Sequence, residues 1–349
     1  MIVDRNLCYN NNENKHRKSD PVKAEIIKLL RAQQGEYVSG EEISKLLKVS
    51  RTAVWKNINA LRNEGYEILS VTNKGYQLVS ESKGLNEVEL KYELRQSNLI
   101  QDIQFYDSID STNQKAKQIG NQGNFSQTLI VSDEQTVGRG RLGRNWSSEK
   151  GTGVWMSLLL KPEFAPDLAS RITLMAAAAV SEAIEDETGL TTSIKWPNDI
   201  IVNGKKVCGI LTELNAELNH INYLVLGIGI NVNNRIFEAE LLDKATSLSL
   251  EQNNTWINRL KIIKLFVEHF EMYYNQFVKE NDFRPVIEYN RKKSITLNKE
   301  VEIISGNIHK RAFALDIDMD GNLVVKNSDG SNEAIYYGEV SVRGINGYV

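Results

Sequence analysis

The segment Gln135–Trp146, Gln-Thr-Val-Gly-Arg-Gly-Arg-Leu-Gly-Arg-Asn-Trp, interleaves three glycines with three arginines directly behind an apolar run, Thr128–Ser132, that predicts a buried strand. Gly138, Gly140 and Gly143 formally spell the G-x-G-x-x-G of dinucleotide sites. That fingerprint has to open a helix, so that a pyrophosphate sits on the helix N-terminus. Here Gly151–Leu160 predicts a turn into another strand, which argues against a doubly wound dinucleotide fold. What remains is a flexible strand-to-strand loop. Its glycines let backbone N–H groups approach a ligand, while Arg139, Arg141 and Arg144 offer planar forks for carboxylate or phosphate. A solvated basic loop tip is the alternative, against which stands the lack of any interleaved acid.

The 349 residues are 41% hydrophobic and 25% charged, enough for a sizeable core over two or three domains. Apolar runs such as Leu174–Val180 fall far short of the roughly eighteen residues that cross a bilayer, and the polar start lacks a signal-peptide core. A cytoplasmic protein without membrane attachment is therefore expected. Cys8 and Cys208 make no disulfide framework. His16, His220, His269 and His309 are too scattered for a metal cluster, so metal ligands stay unidentified. The net charge of −3 hides a basic front end: Lys15–Ser80 holds twelve Lys and Arg against seven Asp and Glu.

Residues 1–19, rich in Asn, Lys and Arg without apolar period, are read as a disordered arm. Asp20 and Pro21 then cap and open a helix that turns Ile26, Ile27, Leu29 and Leu30 inward. Ser39-x-x-Glu42 is a capping box for a second helix ending near Leu47. Ser50 caps a third, with the stripe Ala53, Val54, Ile58 and Leu61, which Gly65 stops. Ile68–Val71, a turn at Asn73-Lys74-Gly75 and Tyr76–Val79 predict a small hairpin. This is a winged helix-turn-helix layout over residues 20–80, with Ser50–Glu64 as recognition helix. Arg51, Thr52, Trp55, Lys56 and Asn59 point away from the apolar stripe and, with Lys74 at the wing tip, are the candidate DNA contacts. A module that binds protein through the same basic face is the alternative.

Ser80–Glu87 is a linker, Glu87–Leu94 a short helix, and a second domain spans 88–293. Ile103–Tyr106 is a strand. Asp110-Ser111-Thr112-Asn113 either caps the helix containing Ala116 and Ile119 or addresses a ligand. Ser170–Glu187 is an Ala-rich helix closed by Gly189. Ser193–Trp196 is a strand cut off by Pro197, and Ile200–Val202, Asn203-Gly204 and Lys205–Glu213 form a hairpin. Lys195, inside an apolar strand, either faces solvent or is aimed into a pocket. Asn222–Val232 is another strand, and Thr255–Lys279 and Phe283–Lys293 are helices covering one sheet face.

From Ser294 the pattern changes to short strands, Ile295–Ser305, Lys310–Ile317, Asn322–Lys326, Asn332–Tyr337 and Val340–Arg343, which predict a small barrel over 294–349. Asp316-x-Asp318-x-Asp320-Gly321 imitates a calcium loop. Its twelfth position is Asn327 rather than Glu and strands flank it, so it is read as a β-turn.

Asp110-Ser-Thr-Asn113, Gly138-Arg-Gly-Arg-Leu-Gly-Arg-Asn-Trp146 and Lys195-Trp-Pro-Asn-Asp199, behind a winged helix, closely resemble the bifunctional biotin protein ligases that double as biotin operon repressors, over roughly residues 20–349. Leu142 stands where relatives can carry a second basic residue. The resemblance implies an α+β chain: an N-terminal winged helix-turn-helix, a central class II synthetase-like mixed sheet with helices, and a C-terminal SH3-like small β-barrel. It implies that biotin and ATP give biotinyl-5′-AMP and pyrophosphate, with Mg2+ assisting, and that a lysine of a biotin carboxyl carrier protein then displaces AMP. It further implies operator DNA as partner and a homodimer favoured by biotinyl-5′-AMP.

By the same resemblance Ser111, Thr112, Asn113, Gln135, Arg139, Gly140, Arg141 and Lys195 bind biotin, and Trp146 and Asn231 take the adenine end. Arg139, Arg141 and Lys195 would carry the catalysis, because a carboxylate brought against a triphosphate needs positive groups to offset repulsion and growing charge. Three other readings stay open: a ligase whose winged helix no longer binds DNA, a related lipoate or other acyl-adenylate ligase, and a ligand-sensing repressor without catalysis.

Overall fold

The computed structural model describes residues 21–33, 35–80, 84–305, 307–336 and 340–344. The arm at 1–19, the expected cap Asp20, linker residues 81–83 and the strand end Tyr337 lie outside the described residues.

The front module is α1 (Pro21–Ala32), α2 (Gly40–Leu47) and α3 (Arg51–Asn63), followed by the antiparallel hairpin β1 (Glu67–Val71) and β2 (Gly75–Ser80). Ser39 Oγ accepts from the Glu42 amide at 3.0 Å and Ser50 Oγ from the Ala53 amide at 3.1 Å. These bonds satisfy N–H groups that a first helical turn leaves open. Ile26, Ile27, Leu30, Ile43, Val54, Ile58 and Leu61 close a core of their own, each worth roughly 1.5–3 kcal/mol when fully buried.

α4 (Glu87–Glu93) fastens this module to the next. Val88 belongs to the front core, Leu90 and Leu94 to the main one. Buried Glu89 accepts from Arg31 at 2.6 Å and from the Tyr66 hydroxyl, and Arg31 also lies 4.6 Å from the Tyr92 ring centre. Burial, then the neighbouring Glu89 charge, holds the Tyr66 hydroxyl far above its usual range, so it stays a donor.

The central unit runs β3 (Asp102–Tyr106), α5 (Thr112–Gly120), β4 (Thr128–Ser132), β5 (Val154–Leu160), α6 (Ala169–Thr188), β6 (Ser193–Lys195), β7 (Asp199–Val202), β8 (Lys205–Glu217), β9 (His220–Ile230), α7 (Leu248–Glu251), α8 (Arg259–Glu280) and α9 (Arg284–Lys293). Its strands lie in the order β3-β4-β5-β9-β8-β7-β6, parallel between β3 and β4 and antiparallel elsewhere. Two-residue alternation divides the apolar side chains. Leu129, Val131, Leu158, Leu160, Leu224 and Leu226 join the core with α6 and α8, while Ile130, Leu159, Tyr223 and Val225 pack with Ala116 of α5. The sheet is thus covered on both faces.

α8 begins at Arg259, later than the Thr255 expected from the pattern. Asn258 accepts from the amides of Leu260 (3.0 Å) and Lys261 (3.3 Å), and the Asn233 side chain holds both backbone groups of Ile257 at 3.0 Å, keeping that residue out of the helix.

β10 (Glu300–Ser305), β11 (Ile308–Ile317), β12 (Leu323–Lys326), β13 (Asn332–Ile335) and β14 (Val340–Gly344) form one antiparallel sheet in the order β13-β12-β11-β10-β14. The calcium-like segment is the β11–β12 turn, with Asn322 N donating to Asp318 Oδ1 at 2.8 Å and Gly321 at φ 89°. Val301, Ile303, Ala314, Leu323 and Val325 share the central core, so this sheet packs as an extension of the central unit. Among the described residues no helix is long and apolar enough to cross a membrane.

Candidate functional site

On the α5 face of the sheet the apolar pattern gives way to small and polar residues. Opposite residues of antiparallel strands share a face, so Ser157, Gly227 and Leu211 form one row, and Trp155, Gly229 and Gly209 the next. This glycine-floored area lies beside the start of α5, where sequence placed Ser-Thr-Asn.

Ser111 occupies the N-cap of α5 but makes no capping hydrogen bond. Gln135 takes that office from 23 residues away, its Oε1 accepting from Thr112 N at 2.9 Å and lying 3.1 Å from the Thr112 hydroxyl. Gln135 Nε2 donates to Ser148 Oγ at 2.9 Å, closing the loop onto the helix start. Asn113 Nδ2 donates to Glu213 at 2.8 Å, and its Oδ1 lies 2.6 Å from Ser157 Oγ, which is also 2.7 Å from Thr112 Oγ1. The Asn113 amide lies over Gly227 so closely that a Cβ there would come within 2.1 Å of Oδ1. Ser111, Thr112, Asn113 and Ser157 are all buried.

The glycine–arginine loop closes on itself through a few backbone bonds. Arg139 bridges Asn145, Gly140 N donates to Arg144 O at 2.7 Å, and Trp146 N donates to Gly138 O at 2.9 Å. Leu142 (φ 54°) and Gly143 (φ 72°) turn the chain at the tip. Gly138 is required by close approach, since a Cβ would stand 2.3 Å from the Trp146 carbonyl. Arg259, buried, holds the base through Asp133 (2.8 Å) and the Gly153 carbonyl (3.1 Å). Arg139 and Arg144 are exposed. Arg141 reaches across to Asn198 Oδ1 at 2.9 Å, which joins the loop to the Lys-Trp-Pro-Asn-Asp motif.

Lys195 is only 7% exposed, which sets aside the solvent-facing reading. Ile194 O accepts from Ile295 N, and Trp196 N donates to Thr296 Oγ1, each at 3.0 Å, so both neighbours of Lys195 are tied to the start of the C-terminal segment. Trp146 lies against the Gly209–Gly229 pair, with Lys206 Nζ 5.1 Å from its ring centre and Asp199 ion-paired to Lys206 at 2.6 Å. Asn231 sits at the end of β9, buried, donating through Nδ2 to Thr246 O at 3.2 Å. Burial pushes the Cys208 thiol well above its usual range, which removes it as a nucleophile.

Sequence reasoning missed Ser148, Ser157, Glu213, Lys117, Lys206 and Arg259. A clue was available in Gly227 and Gly229, alternating along β9 where the core pattern would place apolar side chains.

On the front module Arg51, Thr52, Trp55, Lys56 and Lys74 are exposed, Trp55 by 55%. Asn59 is half-buried and accepts from Arg62 at 3.1 Å. Arg51 is ion-paired with Glu41, whose carboxyl Lys45 and Arg51 together hold below its usual range.

Fold and site define an α+β domain with a polar, glycine-floored site behind a helix-turn-helix module. Three family models match: an HTH domain over residues 23–77, the biotin/lipoate A/B protein ligase family over 105–231, and a biotin protein ligase C-terminal domain over 296–343. The bifunctional ligase/repressor BirA of Bacillus subtilis is 38% identical over 325 residues, covering 92% of this chain and 98% of the relative. That of Escherichia coli is 28% identical, covering 93% and 98%. The Aquifex aeolicus biotin protein ligase in complex with biotin and ATP superposes with a TM-score of 0.62 at 32% identity, over 70% of this chain and all of that one. The chain belongs to the bifunctional ligase/repressor family of biotin protein ligases.

Proposed function

We propose that the central unit, residues 88–293 with the sheet from 294, joins biotin to ATP and then to a lysine of a biotin carboxyl carrier protein, while residues 20–80 hold operator DNA. The observation that carries the catalytic half is the Arg141–Asn198 bond, which draws the arginine loop over the strand bearing buried Lys195 and beside the Thr112–Gln135 wall.

A biotin carboxylate oxygen attacks the α-phosphorus of ATP, the bond to the bridging oxygen breaks, and pyrophosphate leaves. Arg139, Arg141 and Lys195 stabilise the charge that develops on the phosphoryl oxygens and the leaving group, where preorganised cations act most strongly. Ser111, Thr112, Asn113 and Gln135 supply neutral hydrogen-bonding groups that suit an uncharged ureido ring. Trp146 and Asn231 take the adenine end, and the loop keeps water from the mixed anhydride. In the second step a carrier lysine amine attacks the anhydride carbonyl, loses its proton, and AMP departs.

Mg2+ would come with the triphosphate rather than in a protein cage. Among the described residues no group of three or more His, Cys, Asp or Glu is gathered to hold a metal ion, and Asp199 is occupied by Lys206. Bound to phosphate oxygens, the ion would share in neutralising their charge.

The test is ATP–pyrophosphate exchange. Exchange dependent on biotin and indifferent to lipoate is expected; exchange driven by lipoate alone would overturn the reading.

A further inference from the structure

One side chain in the site has no part in the scheme above. Glu213 stands on β8 opposite Val225, at the edge of the glycine-floored area. It is linked on one side to Lys117 of α5, Nζ to Oε1 at 2.5 Å, and on the other to Asn113, Nδ2 to Oε2 at 2.8 Å. From Asn113 the bonds continue without a break: to Ser157 Oγ (2.6 Å), to Thr112 Oγ1 (2.7 Å), from the Thr112 N–H to Gln135 Oε1 (2.9 Å), and through Gln135 Nε2 to Ser148 Oγ (2.9 Å). Seven side chains, three from α5, two from the sheet and two from the arginine loop and its base, form one chain, with charge only at its Lys117–Glu213 end.

In such a chain direction matters. An asparagine amide can face either way, and only its partners decide which end is oxygen. The carboxylate of Glu213 only accepts, so it takes the Nδ2 end of Asn113 and leaves Oδ1 toward Ser157. Oδ1 only accepts, so the Ser157 proton is drawn to that side. Ser157 Oγ in turn accepts from the Thr112 hydroxyl, while the Thr112 backbone N–H holds Gln135 Oε1, so the lone pairs of the Thr112 oxygen are presented as acceptors. A ureido ring offers two N–H donors, and a wall with its acceptors facing the ring is what such a ligand needs.

We propose that Glu213 is a positioning residue for biotin: paired with Lys117, it fixes the amide orientation of Asn113 and thereby the hydrogen-bond polarity of the Thr112–Asn113–Ser157 wall. This rests on the biotin reading of that wall. Glu213 touches no substrate and acts only through Asn113.

The experiment measures steady-state pyrophosphate exchange with biotin and ATP varied in turn. Glu213→Gln keeps the shape but offers an amide that can donate or accept, so Asn113 loses its fixed orientation. The KM for biotin should rise about tenfold, the scale of one misdirected buried hydrogen bond, with kcat and the KM for ATP within about twofold. Lys117→Gln, on the partly exposed rim, should shift the same constant in the same direction by less, and serves should Glu213→Gln not fold. The double variant Glu213→Gln/Asn113→Asp puts the acceptor-only carboxylate one place along the chain and restores its direction, so the biotin KM should fall back toward wild type. A purely structural role predicts no such recovery. Unchanged biotin KM in both Glu213→Gln and Lys117→Gln, alongside a raised one in Thr112→Val, would overturn the proposal and leave the biotin reading standing. No effect of Thr112→Val would overturn both. Equal losses in kcat and ATP affinity, or no recovery in the double variant, would reduce Glu213 to a packing role.

Discussion

The Trp196 indole Nε1 donates to the carbonyl oxygen of Gly321 at 3.0 Å, so the β11–β12 turn of the C-terminal sheet grips the residue next to Lys195. With Thr296 on the Trp196 amide and Ile295 on the Ile194 carbonyl, the short strand β6 is held from behind by the C-terminal segment. A three-residue strand cannot hold a buried lysine in place by its own pairing. The last sheet supplies the support.

That arrangement makes Gly321→Ala informative. Gly321 has φ 89°, and an added Cβ would stand 2.4 Å from Leu174 Cδ1 in the packed core. The substitution should destabilise by about 1–3 kcal/mol, the usual cost of overpacking, and should lower biotin adenylation by displacing Trp196. Urea unfolding and pyrophosphate exchange measure the two effects separately. A destabilised variant with wild-type kcat would mean that the turn supports the core but not Lys195.

Removing the cations should separate chemistry from folding. Arg139→Ala and Lys195→Ala are each expected to lower the adenylation rate by about 10²-fold or more, the typical loss for one charge-stabilising group. Arg139 is exposed, so its removal should change unfolding free energy by no more than about 0.5 kcal/mol. Near-normal single-turnover rates in both folded variants would remove these residues from the catalytic assignment.

The sequence disclosed most where the physics is local. Ser39 and Ser50 cap the helices they precede, Asn203-Gly204 turns the β7–β8 hairpin, and Gly189 ends α6, because each depends on a few adjacent residues. Ser111 read as a cap by the same rule, yet Gln135 takes Thr112 N from the far side of a strand and a loop, a pairing no local pattern contains. The burial of Lys195 was undecidable in a strand of three residues, since it depends on Thr296 and Gly321, about a hundred residues further on. Glu213, at the end of the expected hairpin strand, acquires its partners Asn113 and Lys117 only when β8 is set beside α5. The resemblance named Ser111, Thr112, Asn113 and Gln135, and only the tertiary contacts set Ser157 and Glu213 beside them.

The arginine loop should respond to its ligand. Val137–Lys150 joins its flanking strands through few backbone bonds and carries exposed Arg139 and Arg144, so its opening costs little compared with global unfolding. Limited proteolysis of the free protein is expected to cut within it, and biotin with ATP to suppress the cut as the adenylate forms across the arginines. Equal cleavage rates with and without the ligands would argue against a closing loop.

Regulation is expected to be read by the front module and set by the catalytic one. A single winged helix is small, and a strong operator complex generally needs two half-sites held by a symmetric dimer. The signal is expected to start at the adenylate site and act through dimer formation. α4 is the physical connection: Val88 in one core, Leu90 in the other, and Glu89 gripping Arg31 at 2.6 Å between them. If the dimer is the form that binds DNA, adenylate and operator each tighten the other by linkage. Lys56→Ala should weaken operator binding and flatten its salt dependence by about one unit of slope, as loss of one phosphate contact does. Arg51→Ala should do less, because Glu41 already holds that guanidinium. Glu89→Gln should leave adenylation near wild type while weakening operator binding, because two recognition helices work together only when each is fixed to its half of the dimer. Operator affinity with and without biotin plus ATP, measured beside sedimentation at the same concentrations, checks the whole scheme. Equal affinity in both conditions, or tightening without a rise in dimer, would refute it.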